Sequence, residues 1–326
     1  MTVVRVHRLL SVEFLAAYVT TMRPYLLFVS GITGIVGMSL VPGVETPRTV
    51  IIFVATFLTY GFGQALTDCF QIDTDSISSP YRPLTQGTVT RGQVMTVSLF
   101  GLGLCVTALG LLNTWNFLLG AFAGAGLATY TPFKRRWWGG PWYNAWIVGV
   151  LSLMGLLAAT GQRNLPMPRA LPWTLCAVFF GYANFVLAGY FKDIAADARS
   201  NYDTFPVHFG RAKAAVGSSA LALLALVSTI AARSAALPEG ASTIGGALSW
   251  GFLAAAMGVS AVAQYLLHRV QQDEQSHTAI GLVVHAYILA LSAIASAAQP
   301  GWGASLLLFY IVFIAVLRAR PSRSQI

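Results

Sequence analysis

The sequence predicts an all-α, polytopic transmembrane bundle of nine to ten helices, and three observations carry that reading. First, 56% of the 326 residues are hydrophobic and only 10% are charged, which lies outside the range of soluble domains. Second, apolar windows long enough to cross a hydrocarbon core recur ten times. Third, the basic residues fall unequally in the loops between those windows. No linker, low-complexity tract or soluble segment interrupts the series, so residues 1–326 read as a single transmembrane domain.

The windows lie near 25–41, 48–70, 92–112, 115–131, 142–160, 170–194, 213–235, 244–268, 277–297 and 302–318. The first extends back towards Phe14 and contains Arg23-Pro24, where the missing proline N–H should kink the helix and turn the arginine towards a cavity. Gly140-Pro141 and Leu237-Pro238-Glu239-Gly240 mark loops. The last window, 302–318, is a possible extra C-terminal helix. With ten crossings, one side collects 16 Lys and Arg, Arg5 and Arg323 among them. The other side collects four: Arg48, Arg163, Arg169 and Arg233. By the positive-inside rule both termini and the basic loops are then cytoplasmic, in an inner-membrane protein. Removing one helix would move Arg318, Arg320 and Arg323 to the wrong side, which favours ten crossings over nine.

The net charge of +9 follows from those short loops, so it argues against nucleic-acid binding and for a lipid bilayer as the surrounding partner. Cys69, Cys105 and Cys176 lack the paired spacing of a zinc site. Arg5 and Arg8 precede no small-residue cleavage site, so no removed signal peptide is expected. Trp137, Trp138 and Trp142 flank a basic turn and read as an interfacial aromatic belt.

Acid is concentrated where a membrane protein least tolerates it. Six of the 11 acidic residues fall in two segments, with Asp68, Asp73 and Asp75 at and beyond the end of the second window and Asp193, Asp197 and Asp203 at and beyond the end of the sixth. Carboxylates beside a membrane span require a compensating cation or water. On a continuous helix at ~100° per residue, Gln64, Asp68, Gln71 and Asp75 share one face, while Asp73 points elsewhere unless the helix has ended. Two carboxylates and an amide carbonyl suit a hard cation, and Mg²⁺ takes one or two carboxylates plus substrate phosphate oxygens. In the second segment Asp193 and Asp197 stand four residues apart. Arg82, Lys134 and Lys192 lie in loops on the same side, where they can grip the phosphate oxygens of a diphosphate.

These stretches resemble a known family. TDCFQIDTDSISSPYRPLTQG (67–87) is similar to the first aspartate-rich motif of the UbiA superfamily of intramembrane prenyltransferases, especially the chlorophyll-synthase-like members with a Pro-Tyr-Arg-Pro turn. YFKDIAADARSNYDTFPVHFG (190–210) resembles the second motif, Tyr130–Lys134 the loop after helix four, and Arg23-Pro24 the first-helix arginine-proline pair. The resemblance implies a bundle, usually of nine helices, around a central lipid-accessible cavity capped by the motif loops. It implies that Asp68, Asp75, Asp193 and Asp197 are catalytic and hold Mg²⁺ and a prenyl diphosphate. Arg82, Lys134 and Lys192 would neutralise the diphosphate, and Tyr130 would contact it or the cation. Gln64, Arg23 and Asp203 join the substrate-binding set. Two departures stand out: Thr67 replaces the usual Asn, and Gln71 replaces the first acid of the pair. Gln71 can still offer a carbonyl oxygen to metal, while Asp68 or Asp73 compensates for the lost charge or one metal is held more weakly.

The implied chemistry is loss of diphosphate to leave an allylic cation, followed by alkylation of an acceptor, expected to be aromatic, by a farnesyl- or geranylgeranyl-sized group. Metal and cations stabilise the leaving group, the apolar cavity excludes water, and aromatic faces can stabilise the cation. Two alternatives stay open: a UbiA-type terpene cyclase needing no acceptor, which Gln71 slightly favours, and a cation-coupled transporter. The transporter predicts charges near the bilayer midplane in broken helices, whereas both acidic clusters lie at one face. Asn184, inside the sixth window, lines the acceptor pocket or bonds between helices. His208 and His285, the latter beside Tyr287, read chiefly as structural groups.

Overall fold

The computed structural model describes residues 6–162, 167–237 and 243–320. Arg5, Arg163, Arg323 and residues Pro238, Glu239 and Gly240 of the expected loop lie outside them. The described residues form ten long helical units. The first is a bent pair: α1 (Val12–Met22) and α2 (Leu27–Ser39), joined by a 3₁₀ turn over Pro24–Leu26 with a 46° bend. The proline supplies no donor to continue α1, and Arg23 ends the helix in the left-handed region at φ 53°. A full break therefore stands where the sequence suggested a kink.

The remaining units are α3 (Thr46–Asp68), α5 (Arg91–Leu112), α6 (Trp115–Lys134), α7 (Gly140–Thr160), α8 (Leu171–Gly189), α10 (Phe205–Ala236), α11 (Thr243–Leu267), α12 (His277–Ala298) and α13 (Gly303–Arg318). Two short helices, α4 (Ile72–Ser78) and α9 (Ile194–Arg199), interrupt the series in the acidic segments. Taking the bent pair as one span, nine units among the described residues are long and apolar enough to cross a membrane. The tenth, α6, is long enough, but Asn116, Pro132 and several Gly and Thr positions dilute its apolar character. The chain is an integral membrane protein.

The core is organised on α12, which packs against α2, α8, α10 and α11. Its span is 78% buried, against 17% for α13, which lies at the periphery on α12 and the Pro24–Leu26 turn. The α2–α7 crossing brings backbones together: a Cβ on Gly37 would collide with the Ser152 carbonyl oxygen. Small residues permit this approach where lipid offers no hydrophobic driving force between helices. This pair contributes Val29, Ser30, Asn144, Ile147, Val148, Leu151 and Met154 to the lining of the apolar cavity described next.

Candidate active site

The expected single face from Gln64 to Asp75 is not continuous, because α3 ends at Asp68 and Gln71 stands before the first turn of α4. Asp68 is buried at the α3 terminus, where Arg23 Nη2 reaches both its oxygens at 3.0 and 2.9 Å. Gln64 Nε2, one turn earlier on α3, donates to it at 2.6 Å. Asp75 is buried on α4 and paired with Arg82, whose Nη1 also lies 3.9 Å from Asp68. Burial works against the Arg82 charge, but Asp75, Asp68 and Asp193 outweigh it and hold its pKa above the ordinary value. The Pro80-Tyr81-Arg82-Pro83 turn thus serves to aim one guanidinium at two carboxylates.

The second acidic segment closes the opposite wall. Span α8 runs into a 3₁₀ turn over Tyr190–Lys192, and Asp193 stands immediately before α9. Asp197 is fully buried, accepts from the Thr204 hydroxyl at 3.3 Å, and lies 4.0 Å from Lys134 Nζ. Its Oδ1 has no hydrogen-bond partner among the described residues. Burial pushes this carboxyl up to about 7, against the pull of Lys134. Lys134 itself donates to Gln71 Oε1 at 2.7 Å and sits near the Tyr190 and Tyr202 rings.

One pocket of about 730 Å³ gathers Arg23, Gln64, Asp68, Gln71, Asp75, Arg82, Tyr130, Lys134, Lys192 and Asp193. Asp197 lies behind Lys134. Three expected residues sit elsewhere. Asp203 is half-exposed and meets His208 at 3.1 Å, the imidazole stacking on Trp137. Asn184 accepts from Ser218 on α10 at 2.6 Å and lines a separate small void with Tyr287. It bonds between helices, which satisfies its buried amide oxygen. Asp73 points away from the pocket to Arg135 and Tyr202, so it cannot make up the charge lost at Gln71. His285 meets Tyr310 on α13 at 2.9 Å.

A second cavity of about 900 Å³, lined mainly by apolar side chains of α2, α3, α5, α6 and α7, adjoins the polar one. Tyr60, Gln64, Thr67, Asn144 and Tyr182 line both, marking the junction. Of these the sequence reading noted Gln64 and Thr67 and missed Tyr60, Asn144 and Tyr182. Tyr60 was findable, because it stands one helical turn before Gln64 and two before Asp68. Asn144 carries no such signal.

The donors in the polar pocket are hard oxygens, which fit Mg²⁺. Among the described residues no three His, Cys, Asp or Glu side chains form a cage, and Mg²⁺ bound beside a diphosphate requires none. The orphaned Asp197 oxygen is a further acceptor in need of a partner. Fold and pocket together define a membrane-embedded protein with a charged pocket that joins an apolar cavity. A family model described as the UbiA prenyltransferase family matches residues 30–282, and the chain belongs to that family.

The chain is 28% identical over 285 residues to a digeranylgeranylglyceryl phosphate synthase of Thermococcus kodakarensis, covering 85% of this chain and 96% of the relative. The solved UbiA homologue of Aeropyrum pernix K1 superposes with a TM-score of 0.65 at 19% identity, covering 82% of this chain and 96% of the other. A UbiA homologue of Archaeoglobus fulgidus bound to DMAPP and Mg²⁺ gives 0.57 at 16% identity, covering 93% and 99%. This chain is accordingly a prenyltransferase.

Proposed function

We propose that this enzyme uses Mg²⁺ and a prenyl diphosphate to alkylate a glycerophosphate-type acceptor. The observation that carries the reading is the junction of the two cavities. A pocket with four cationic side chains, Arg23, Arg82, Lys134 and Lys192, adjoins an apolar cavity whose lining suits a prenyl tail. The aromatic acceptor suggested by the motif resemblance gives way because the Thermococcus relative is named for a glyceryl phosphate product. The pocket chemistry is compatible with the same choice: Lys134 donates to the neutral amide of Gln71 at 2.7 Å and meets its nearest carboxylate, Asp197, only at 4.0 Å, so it keeps attraction for an anionic group of the acceptor.

Asp68, Gln71, Asp75, Asp193 and Asp197 are the proposed metal ligands. When bound, Mg²⁺ offsets the charge that develops on the departing diphosphate. Arg82, Lys134 and Lys192 contact the remaining phosphate oxygens, preorganised donors that need no rearrangement as the C1–O bond breaks. Gln64 and Arg23 orient Asp68. Tyr60 and Tyr182 stand at the junction, where their ring faces can stabilise the allylic cation. The acceptor hydroxyl then bonds to C1 and loses its proton. The motif loops and both termini face the cytoplasm of an inner membrane in this proposal, as the basic-residue bias indicates.

Purified protein in lipid nanodiscs, given Mg²⁺ and farnesyl or geranylgeranyl diphosphate, tests the reading with three arms: a prenylglyceryl phosphate, an aromatic acceptor, and none. Prenylated glycerophosphate, abolished by EDTA, is expected. Product only with the aromatic acceptor, or a cyclic hydrocarbon without any acceptor, would replace this assignment.

A further inference from the structure

Asp73 sits among the acids of the first motif yet stands outside the pocket, and its contacts cross to the second motif. Arg135 Nη2 donates to Asp73 Oδ2 at 2.9 Å, and the Tyr202 hydroxyl donates to Asp73 Oδ1 at 3.2 Å. The Arg135 guanidinium lies 4.6 Å over the Tyr202 ring, and its backbone carbonyl accepts from Asp203 N–H at 3.1 Å. Three separate chain segments therefore meet: α4, the α6–α7 turn, and the connection from α9 to α10. The carboxylate and guanidinium are about half-exposed, whereas Tyr202 is buried.

Tyr202 is the pivot of this arrangement. Its backbone N–H donates to the Asp197 carbonyl at 2.8 Å, and its ring lies 5.3 Å from Lys134 Nζ. Lys134 in turn bonds Gln71. A side chain on the outer surface is thus connected, through one tyrosine, to groups on both walls of the pocket.

We infer that Asp73, Arg135 and Tyr202 form an outer clamp that holds the two acidic segments together over the pocket and keeps water from the allylic cation. Asp73 is a positioning residue in this scheme, acting through Tyr202 and Lys134. A loosened clamp admits water to C1. The C1–O bond to diphosphate breaks with its electron pair leaving on diphosphate, the water oxygen bonds C1, and one proton passes to solvent, giving prenyl alcohol in place of transfer product.

The inference rests on the reading that this pocket ionises a prenyl diphosphate. Consumption of donor by the wild-type enzyme tests that reading, and the partition of product between variants tests the clamp. Asp73→Ala, Arg135→Ala, the double variant and Tyr202→Phe are compared in nanodiscs for donor KM, kcat, Mg²⁺ requirement and the ratio of prenyl alcohol to transfer product. A half-exposed ion pair and a hydroxyl bond to a charged group together suggest a rise of about fivefold in donor KM and in the alcohol ratio for each alanine variant. The expected kcat changes less than about twofold, with the Mg²⁺ requirement unmoved, because the chemical groups themselves remain. The double variant should fall short of the summed effects of its parents, since each single variant already removes the Asp73–Arg135 contact. Tyr202→Phe keeps the ring against Lys134 and should raise the alcohol ratio by a smaller factor, so the test survives even if an alanine variant misfolds. Additive effects in the double variant, an unchanged alcohol ratio, or a shifted Mg²⁺ requirement with lowered kcat would overturn the clamp; the last outcome would make Asp73 a metal ligand.

Discussion

Replacing Gln71 by Asp tests how charge is apportioned in the pocket. The amide is buried, and its Oε1 accepts from Lys134 at 2.7 Å. Lys134 is also buried and has its nearest carboxylate, Asp197, at 4.0 Å. A carboxylate at position 71 about 4 Å from that ammonium gains roughly 4 kcal/mol at an effective dielectric near 20. Desolvating the new charge costs several kcal/mol, so the expected change in stability is within about 1 kcal/mol. Substrate binding responds differently. A phosphate about 8 Å from the new charge loses on the order of 2 kcal/mol of attraction, roughly 30-fold in affinity. The assay measures binding of a thiodiphosphate donor analogue to Gln71→Asp and wild type without metal, then the Mg²⁺ concentration giving half-maximal turnover. Weaker metal-free binding together with a lower Mg²⁺ requirement is expected. Unchanged metal-free affinity would refute the idea that the amide leaves Lys134 for substrate, and an unchanged Mg²⁺ requirement would remove Gln71 from the metal side.

Two further predictions concern stability. Arg82→Met strips Asp75 of its ion-pair partner in a buried setting, which should cost about 3 kcal/mol in denaturant unfolding; Arg82→Lys should recover more than half, and equal loss in both would show that charge is not the reason. Gly37→Ala presses a Cβ onto the Ser152 carbonyl across the α2–α7 crossing and should destabilise by about 2 kcal/mol. Gly103→Ala on α5, where the added methyl meets open space, should be neutral or slightly stabilising, so equal melting shifts for the two would contradict the packing argument.

Much of this architecture was legible because a bilayer leaves few choices. Hydrophobic length gave the helical units, and the concentration of Asp68, Asp75, Asp193 and Asp197 beside apolar windows pointed to the face where the pocket lies. What periodicity could not supply was the place where it stops. Treating 64–75 as one helix put Gln71 on the Asp68 face, whereas the break after Asp68 turns it towards Lys134. The same break sends Asp73 outward to Arg135, a partner 62 residues away in the chain. Asn184 and Asp203 stand outside the pocket with polar partners of their own: Ser218, 34 residues away on another helix, which is the interhelical alternative left open for Asn184, and His208, 5 residues on. Asn144 reaches the junction only because α7 crosses beside α3 and α8.

The ion pairs suggest how the proposed ligands would bind. Asp68 is held by Arg23, Asp75 by Arg82, and Asp197 lies nearest Lys134. These buried carboxylates thereby have cationic partners without metal, and the same cations are those proposed to grip diphosphate. Bringing Mg²⁺ alone would leave Arg and Lys competing for the carboxylates, while bringing diphosphate alone would strip the carboxylates of their partners. Together the two ligands exchange partners, cations to phosphate and carboxylates to metal, so no buried charge is left unpaired. Binding of each should therefore strengthen the other by the same factor, as linkage requires. A coupling of about 2 kcal/mol, roughly 30-fold, would be within the usual range for coupled sites. Calorimetric titration of Mn²⁺ with and without a thiodiphosphate analogue, and of the analogue with and without Mn²⁺, measures both sides of the cycle. Independent binding would mean that the arginines stay on their carboxylates during turnover, and that the diphosphate is held by Lys134 and Lys192 alone.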